Sequence, residues 1–381
     1  MINPEARALV AKINKEQGEG TVVLASDMKI AKRFTTGSLG FDIALGGNAE
    51  MAGWAGNQWH EVIGMESHGK TASIYKTIAA NQSVNPDFTT FWVAAEHYDH
   101  DQAAALGVNN DQVIVMSTQH MEDAFQKMIE AADSRAIDCI ILDSYPALTP
   151  NEEDSKDMDE NSMTLGARRF GQFFRKVGPA TKRSLINDEL PILGIIINQY
   201  RDLVGGYSPQ GTPKTTPGGK GKNFAYITRV DVRRDEWIKE KRPGQGDVIV
   251  GQVIKFKTIK NKSAASQQVA SVDFYFRDAP TLGFKRGDYD LFKEAVTLAI
   301  LYNVIKRRGA YYDFKGRTWQ GKDTMLRDLR AEPELYQELR ESVLAVAFLD
   351  NVEQKTEEEL DAANSSGKRR VSRRSTEGPD E

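Results

Sequence analysis

The 381-residue sequence has one cysteine and five histidines. A disulfide framework and a multi-cysteine zinc site are thereby excluded. Cys139, lodged in the apolar run 137–142, reads as a small core residue. No apolar run approaches the ~18 to 20 residues that a membrane span requires. The opening MINPEARALV has neither the basic start nor the apolar centre of a signal peptide, so a soluble cytoplasmic protein with no membrane partner is expected. An excess of one charge is also missing. Fifty Lys+Arg against 54 Asp+Glu leave a net charge of -4, so any surface for a polyanion has to be local. Internal repeats are absent too. What is present is a 40% hydrophobic chain, long enough for one large core and a smaller companion.

Residues 4–15 predict a short amphipathic helix, followed by glycine breakers and a strand over 21–25. So short an arm needs a larger body to pack on. From 58 to 198 the apolar runs 59–63, 91–95, 113–116, 137–142 and 192–197 alternate with helix-length stretches, which predicts an α/β fold with a mainly parallel central sheet. The stretch GGYSPQGTPKTTPGGKG, residues 205–221, is too rich in glycine and proline for a helix or a continued ladder and reads as a loop. Strands over 226–238, 248–261 and 269–277 predict an antiparallel extension of the sheet. Helices over 289–306, 322–329 and 334–347 around an aromatic segment at 310–315 predict a small α-rich C-terminal domain. Beyond 351 few large apolar residues remain. An acidic block precedes KRRVSRR, the composition of a disordered charged tail.

The strongest local signal is GxxxxGKT between a strand and a helix: Gly64, Met65, Glu66, Ser67, His68, Gly69, Lys70 and Thr71, with Ala72 entering the helix. Its glycines let backbone N–H groups curl around phosphate oxygens. Lys70 adds a point charge, and the Thr71 hydroxyl is a ligand for Mg2+. Asp143 closes the apolar strand before it, the position from which a phosphate-loop protein holds its metal. Two readings stand for Glu96 at the end of FWVAAE: a solvated strand end, or a carboxylate that orients or deprotonates a water near a γ-phosphate. Gln199 in INQYR is likewise either a strand terminator or an amide that senses that phosphate and passes its presence to the next loop. His97, His100 and Asp101 read as polar loop residues.

Residues 201–234 hold Arg201, Lys214, Lys220, Lys222, Arg229, Arg233 and Arg234 against Asp202 and Asp231. This local cationic excess fits either a solvated hairpin loop or a flexible segment that tracks a single-stranded phosphate backbone, with Tyr207 for stacking. Residues 151–160 are acidic and argue against phosphate contact there. Arg168 and Arg169 just beyond are placed to reach a backbone from a helix start.

Taken together, TGSLGFDIALGG, GMESHGKT, AAEH, IILDSYPALTP, ENSMTLGARRFGQ, INQYR, TTPGGKG, FAYITRVDVRR and KTIKNKSAA, spread in order over residues 34–265, closely resemble the RecA family of homologous recombinases. WQGKD and the helices after it resemble that family's small C-terminal domain. The resemblance implies a phosphate-loop ATPase core at 34–281, an N-terminal polymerisation arm at 1–33, a C-terminal domain at 282–350 and a tail at 351–381. It implies a DNA-dependent ATPase that binds ATP and Mg2+, forms a helical filament of its own copies on single-stranded DNA, and pairs it with homologous double-stranded DNA in recombination and repair. By the same resemblance Gly64, Glu66, Ser67, His68, Gly69, Lys70, Thr71 and Ala72 bind nucleotide, with Thr71 and Asp143 on the metal. Glu96 is the general base and Gln199 the γ-phosphate sensor, and Lys260 and Lys262 reach the ATP of a neighbouring subunit. The DNA-facing loops are 151–168 and 201–221, with Met163, Arg168, Arg201, Thr215, Gly218 and Gly219 as contacts, and Phe224 is an interface aromatic. The chain departs from the pattern at Met65 and His68 in the phosphate loop, at Gln102 where an adenine-stacking tyrosine is usual, and at Asn223 where a lysine is usual. A hexameric helicase, a zinc-containing repair ATPase and a non-hydrolysing nucleotide-binding scaffold are the other readings. The TTPGGKG and KNK stretches, the lone cysteine, and the intact Glu96 and Gln199 weigh against them in turn.

Overall fold

The computed structural model describes residues 2–18, 20–28, 32–154, 165–181, 191–202 and 214–349. Met163, Tyr207, the centres of both expected DNA loops and the tail lie outside the described residues. The first helix, α1 (Pro4–Gln17), starts where the Asn3 side chain accepts the Glu5 N–H at 2.9 Å and stops at Gly18, φ 105°. None of its side chains is buried, and Leu9 is 57% exposed. The strand expected over 21–25 does not form. The Asn14 amide takes both the N–H and the C=O of Val22, at 2.9 and 2.8 Å, so the groups a ladder would use are already occupied. A 3-10 turn, Ala25–Asp27, follows instead.

Next come β1 (Arg33–Phe34), α2 (Leu39–Leu45), β2 (Trp54–Ala55), β3 (Gln58–Gly64), α3 (Lys70–Val84), β4 (Thr90–Ala94), α4 (His100–Ala105), β5 (Val113–Ser117), α5 (Met121–Ser134) and β6 (Cys139–Asp143). After α6 (Asn151–Asp154) and α7 (Leu165–Thr181) the chain continues through β7 (Leu193–Gln199), β8 (Arg201–Asp202), β9 (Lys214–Thr215), α8 (Lys222–Ala225), β10 (Thr228–Arg242), β11 (Gly246–Asn261) and β12 (Val269–Tyr275). The main sheet has the order β12-β11-β10-β3-β7-β6-β4-β5. It is parallel from β10 to β5 and antiparallel through β11 and β12. This is the expected parallel core with an antiparallel extension.

The period-two alternation of strands splits the core into two layers. Ile141, Ile195 and Ile197 join Ile74, Tyr75 and Ile78 of α3 on one face. Ile140, Leu142 and Ile196 join Phe125 and Met128 of α5 and Phe170 and Phe173 of α7 on the other. Each fully buried side chain of this size contributes about 1.5–3 kcal/mol. Cys139 is a buried member of the first layer, and burial pushes its thiol pKa up. Gly194 allows a close approach: a Cβ there would stand 2.5 Å from the ring of Trp59, whose indole N–H donates to Thr181 Oγ1 at 2.9 Å.

The glycine- and proline-rich stretch was expected to carry no ladder, yet β8 and β9 pair at its base, Arg201 with Thr215 and Asp202 with Lys214. The C-terminal region also differs in detail. Its first helix is shorter, α9 (Leu291–Leu301), because the Asp290 side chain caps it through the Lys293 N–H at 3.0 Å. The aromatic segment lies in a small antiparallel sheet, β13 (Lys306–Arg308), β14 (Tyr311–Phe314) and β15 (Arg317–Gln320), before α10 (Lys322–Ala331) and α11 (Pro333–Ala347). These helices share a core with Leu39 and Ile43 of α2.

Glu294 of α9 locks that junction. Its carboxylate accepts the N–H groups of Leu39 and Gly40 at 3.1 and 3.0 Å and the Ser38 hydroxyl at 2.5 Å, which satisfies N–H groups at the buried start of α2 that have no partner within the helix. Burial pushes its pKa up to about 7 from 4.5. In that window the folded chain keeps a proton that the unfolded chain releases. The stabilisation is therefore full at the acidic end and fades as pH rises to about 7. Glu294→Gln, which cannot ionise, removes this dependence. Thermal melts should show the wild type losing about 2–3 kcal/mol relative to the variant between pH 5 and pH 8, and parallel profiles would refute the assignment.

Candidate functional site

Four parallel strands that are neighbours in the sheet, β4, β6, β7 and β3, end at one edge, and the candidate residues sit at their carboxyl tips, the usual ligand edge of an α/β sheet. The phosphate loop runs from Gly64 at the end of β3 to Lys70 at the start of α3. Its turn depends on backbone that few side chains tolerate, Ser67 at φ 58° and Gly69 at φ 95°. A Cβ on Gly69 would stand 2.6 Å from Ile254 Cδ1. The free N–H groups of the first turn of α3 face the loop. Ala72 is buried in that turn, while Glu66 and Ser67 are exposed. Lys70 Nζ donates to the Met65 carbonyl at 2.7 Å. Burial lowers the Lys70 pKa, against the pull of Asp143, Glu96 and Glu66.

Thr71 Oγ1 donates to Asp143 Oδ2 at 2.9 Å, and burial pushes the Asp143 carboxyl up to about 6. Both groups are hard oxygen donors, and with phosphate oxygens nearby they suit Mg2+. One strand over, Glu96 is exposed and holds two neighbours. Ser144 Oγ donates to Glu96 Oε1, and Gln199 Nε2 donates to the same oxygen at 3.1 Å. The N–H groups of Ala95 and Glu96 both bond the Asp143 carbonyl, at 2.9 and 3.0 Å, which fixes the Glu96 tip against β6. The structure thus brings together Lys70, Thr71, Asp143, Glu96 and Gln199. Ser144 went unnoticed in the sequence, although it directly follows Asp143.

His68 lies half-buried in the loop, its Nδ1 without a hydrogen-bond partner among the described residues. Burial, then Arg234 and Lys70, hold its pKa below the usual range. Beside α4 a cleft of about 430 Å3 is lined by Gln102, Leu106, Phe274, Phe276 and Arg286. Lys260 and Lys262 do not join the phosphate loop of their own chain. The register aligns Lys260 with Arg229 and Arg229 with Glu61, three residues before Gly64, roughly 10 Å back along the sheet. There Lys260 Nζ donates to the carbonyls of Asn223 and Tyr226.

The cationic excess is smaller at the surface than in the sequence. Lys222 and Arg229 do not face solvent as a phosphate track. Both pair with the buried Glu61, Lys222 Nζ at 2.7 Å and Arg229 Nε at 2.5 Å. Arg233 pairs with Asp231 at 2.6 Å, and Arg169 is held by Glu122 at 2.9 Å and by Glu152. Arg168, Arg201, Lys214, Thr215, Gly219 and Lys220 are exposed. Gly218 and Gly219 take φ of 100° and 73°, with Gly218 close against Phe170. Phe224 is 81% exposed.

Residues 5–279 match the model of the RecA N-terminal domain. The chain belongs to the RecA family. It is similar to Protein RecA of Acinetobacter baylyi, 33% identical over 369 residues that cover 94% of this chain and 97% of that protein. Protein RecA of Acinetobacter baumannii is 32% identical over 364 residues, 93% of this chain and 96% of that protein. Membership gives the chain the role of a RecA recombinase in DNA recombination and repair. The family's proteins are DNA-dependent ATPases that bind ATP with a divalent metal. Among the described residues no helix is long and apolar enough to cross a membrane.

Gly69→Ala should weaken binding of a fluorescent ATP analogue by about tenfold or more, since it combines αL strain with the contact to Ile254. Gly221→Ala is the control, with φ -59° and nothing within 4 Å of the added Cβ. Equal affinities in the two variants would show that the loop tolerates a side chain at Gly69.

Proposed function

We propose that this RecA-family chain hydrolyses ATP at the β3–β4–β6–β7 edge, and that bound ATP, clasped between adjacent copies, sets how tightly a filament holds single-stranded DNA. The observation that carries this reading is the convergence of the Thr71–Asp143 pair, 2.9 Å apart, with Glu96 and its Gln199 contact at 3.1 Å. In it the backbone of residues 64–70 and Lys70 hold the phosphates, and Thr71 and Asp143 hold Mg2+. A Mg2+ held by these two oxygens would supply neutralisation of phosphate charge. Glu96, exposed at its tip, takes the proton of an attacking water, and Ser144 and Gln199 fix its direction. Gln199 exchanges its contact with Glu96 for the γ-phosphate, which is the event that reports nucleotide. The base lies in the cleft beside Gln102 and Phe276.

Residues 1–33 act as the polymerisation arm, 34–281 as the ATPase core and 282–350 as the C-terminal domain, in the cytoplasm. The wholly unburied α1 and the exposed Phe224 support contacts between copies, because both leave apolar surface that a neighbouring subunit can cover. The position of Lys260 and Lys262, remote from their own phosphate loop, supports a role for them at a neighbour's ATP. Arg168, Arg201, Thr215, Gly218 and Gly219 contact DNA from the two DNA-facing loops, 151–168 and 201–221. The strand-exchange partner is homologous duplex DNA.

ATP turnover should be low for the protein alone and rise strongly with single-stranded DNA. Lys70→Ala should lower the stimulated rate by about 100-fold or more. Equal turnover with and without DNA would reject the reading. Lys260→Ala should cut stimulated turnover by about tenfold or more while the monomer still binds ATP. Unchanged turnover in that variant would argue against a site shared between subunits.

A further inference from the structure

Lys222 is among the most deeply buried charged side chains of the molecule, 1% exposed, in a segment whose composition suggests solvent. An apolar residue would fill its place at lower cost, because taking an ammonium out of water costs several kcal/mol before pairing. Its partners are specific. Nζ donates to Glu61 Oε1 at 2.7 Å and to Thr216 Oγ1 at 2.8 Å. Glu61 Oε1 also accepts Asn198 Nδ2 at 2.8 Å, and Asn198 Nδ2 reaches the Pro217 carbonyl at 3.2 Å. Asn198 Oδ1 accepts the N–H of Gln199 at 2.9 Å.

The elements joined in this way are the strand leading into the phosphate loop, the strand ending in Gln199, the returning root of the second loop at Thr216 and Pro217, and α8, which starts at Lys222 and carries Phe224. We propose that Lys222 is a positioning residue: with Glu61 and Asn198 it forms a buried clamp that transmits the position of the Gln199 strand tip to the root of the second DNA-facing loop. The inference deepens the function proposed above and rests on it, since it takes Gln199 as the nucleotide sensor and 201–221 as a DNA-facing loop.

The physics of the clamp follows from its charges. One carboxylate faces two cations, Lys222 and Arg229. Removing the lysine charge leaves Glu61 and Arg229 as a balanced pair, so the fold can survive while Thr216 loses its short bond at 2.8 Å and keeps only the longer Arg229 contact at 3.4 Å. Removing Glu61 instead would leave two buried like charges, which makes it an unsuitable test. Asn198 uses one amide group for both Glu61 and Pro217. A displacement of the tip of β7 therefore shifts two bonds at the loop root together, and a buried network has little slack to absorb the movement.

The test is Lys222→Met, which keeps the aliphatic stem. Affinity for single-stranded oligonucleotide is measured by fluorescence anisotropy with a slowly hydrolysed ATP analogue and with ADP, and the ratio of the two affinities is the readout. A lysine that served packing alone would change melting temperature and leave that ratio unaltered. Expected is a monomer that binds the nucleotide analogue within about twofold of wild type, with the affinity ratio reduced about tenfold or more. Thr216→Val breaks the clamp at the loop root and leaves the Arg229 Nε–Glu61 Oε2 bond in place, removing besides only the longer Arg229 Nη2 contact to Thr216 at 3.4 Å, and it should reduce the ratio as well. It decides the matter alone if Lys222→Met does not fold. Variants that keep the wild-type ratio overturn the clamp and leave the proposed function standing. A wild-type protein with no nucleotide-dependent DNA affinity overturns the proposed function, and the clamp with it.

Discussion

The parallel register of β4, β6, β7 and β3 is the constraint on which the rest of the structure depends. Parallel neighbours deliver their carboxyl ends to one edge, so side chains from distant parts of the sequence meet there without any local instruction. Glu96 and Gln199 are 103 positions apart and share a hydrogen bond, as do Thr71 and Asp143, which are 72 apart. The strands that achieve this are apolar on both faces and are covered by α3 on one side and by α5 and α7 on the other. A one-residue slip of β6 against β7 would exchange Ile140 and Ile141 between the layers and carry Asp143 away from Thr71. The packing that stabilises the sheet and the geometry of the site are therefore fixed by the same register.

That constraint also explains what could be read from the sequence. The strands of the parallel core are short apolar runs closed by polar residues, and the phosphate loop is a contiguous motif, so Lys70 and Thr71 are legible locally, whereas Asp143, Glu96 and Gln199 read locally as polar strand ends whose roles came from the phosphate loop upstream and from the family resemblance. What stayed hidden is long-range or weakly patterned. The residues of β13, Lys306–Arg308, are all exposed and lack alternation. The strand expected over 21–25 had suitable composition and lost to two hydrogen bonds from Asn14. Glu61 sits in the middle of an apolar strand with no sign of its partners, because Lys222 and Arg229 lie 161 and 168 positions away. Arg169 was read as a phosphate ligand, and α5 and α6 supply the carboxylates that hold it.

Local net charge is accordingly a poor guide to a polyanion surface. The segment from Arg201 to Arg234 is basic by composition, yet Lys222, Arg229 and Arg233 are committed to Glu61 and Asp231. Among the described residues of this segment Arg201, Lys214 and Lys220 are exposed at the root of the second loop, while Arg233, still 64% exposed beside Asp231, and Arg234, stacked on Trp237, lie on β10. On the function proposed above, cations grouped at the root of a loop favour contacts that form when the loop is positioned, whereas a continuous basic face would bind DNA whatever the state of the site.

Among the described residues two connections lead from the β3–β7 edge to the root of that loop, and their magnitudes decide between them. Lys214 of β9 lies 3.7 Å from the Met65 sulfur in the phosphate loop, with both side chains exposed. A thioether is a weak acceptor, and an exposed contact of that kind is readily replaced by water, so its hold on the loop is a small fraction of a kcal/mol to ~1 kcal/mol. The Glu61–Lys222–Asn198 cluster is buried and carries charge, and a hydrogen bond to a charged group contributes about 1.5–3 kcal/mol. In the proposed clamp the loop root therefore follows β7 and Gln199 rather than Met65. The phosphate loop then adapts to its nucleotide, including at the unusual Met65 and His68, without disturbing the segment proposed to face DNA, while a movement at Gln199 reaches it.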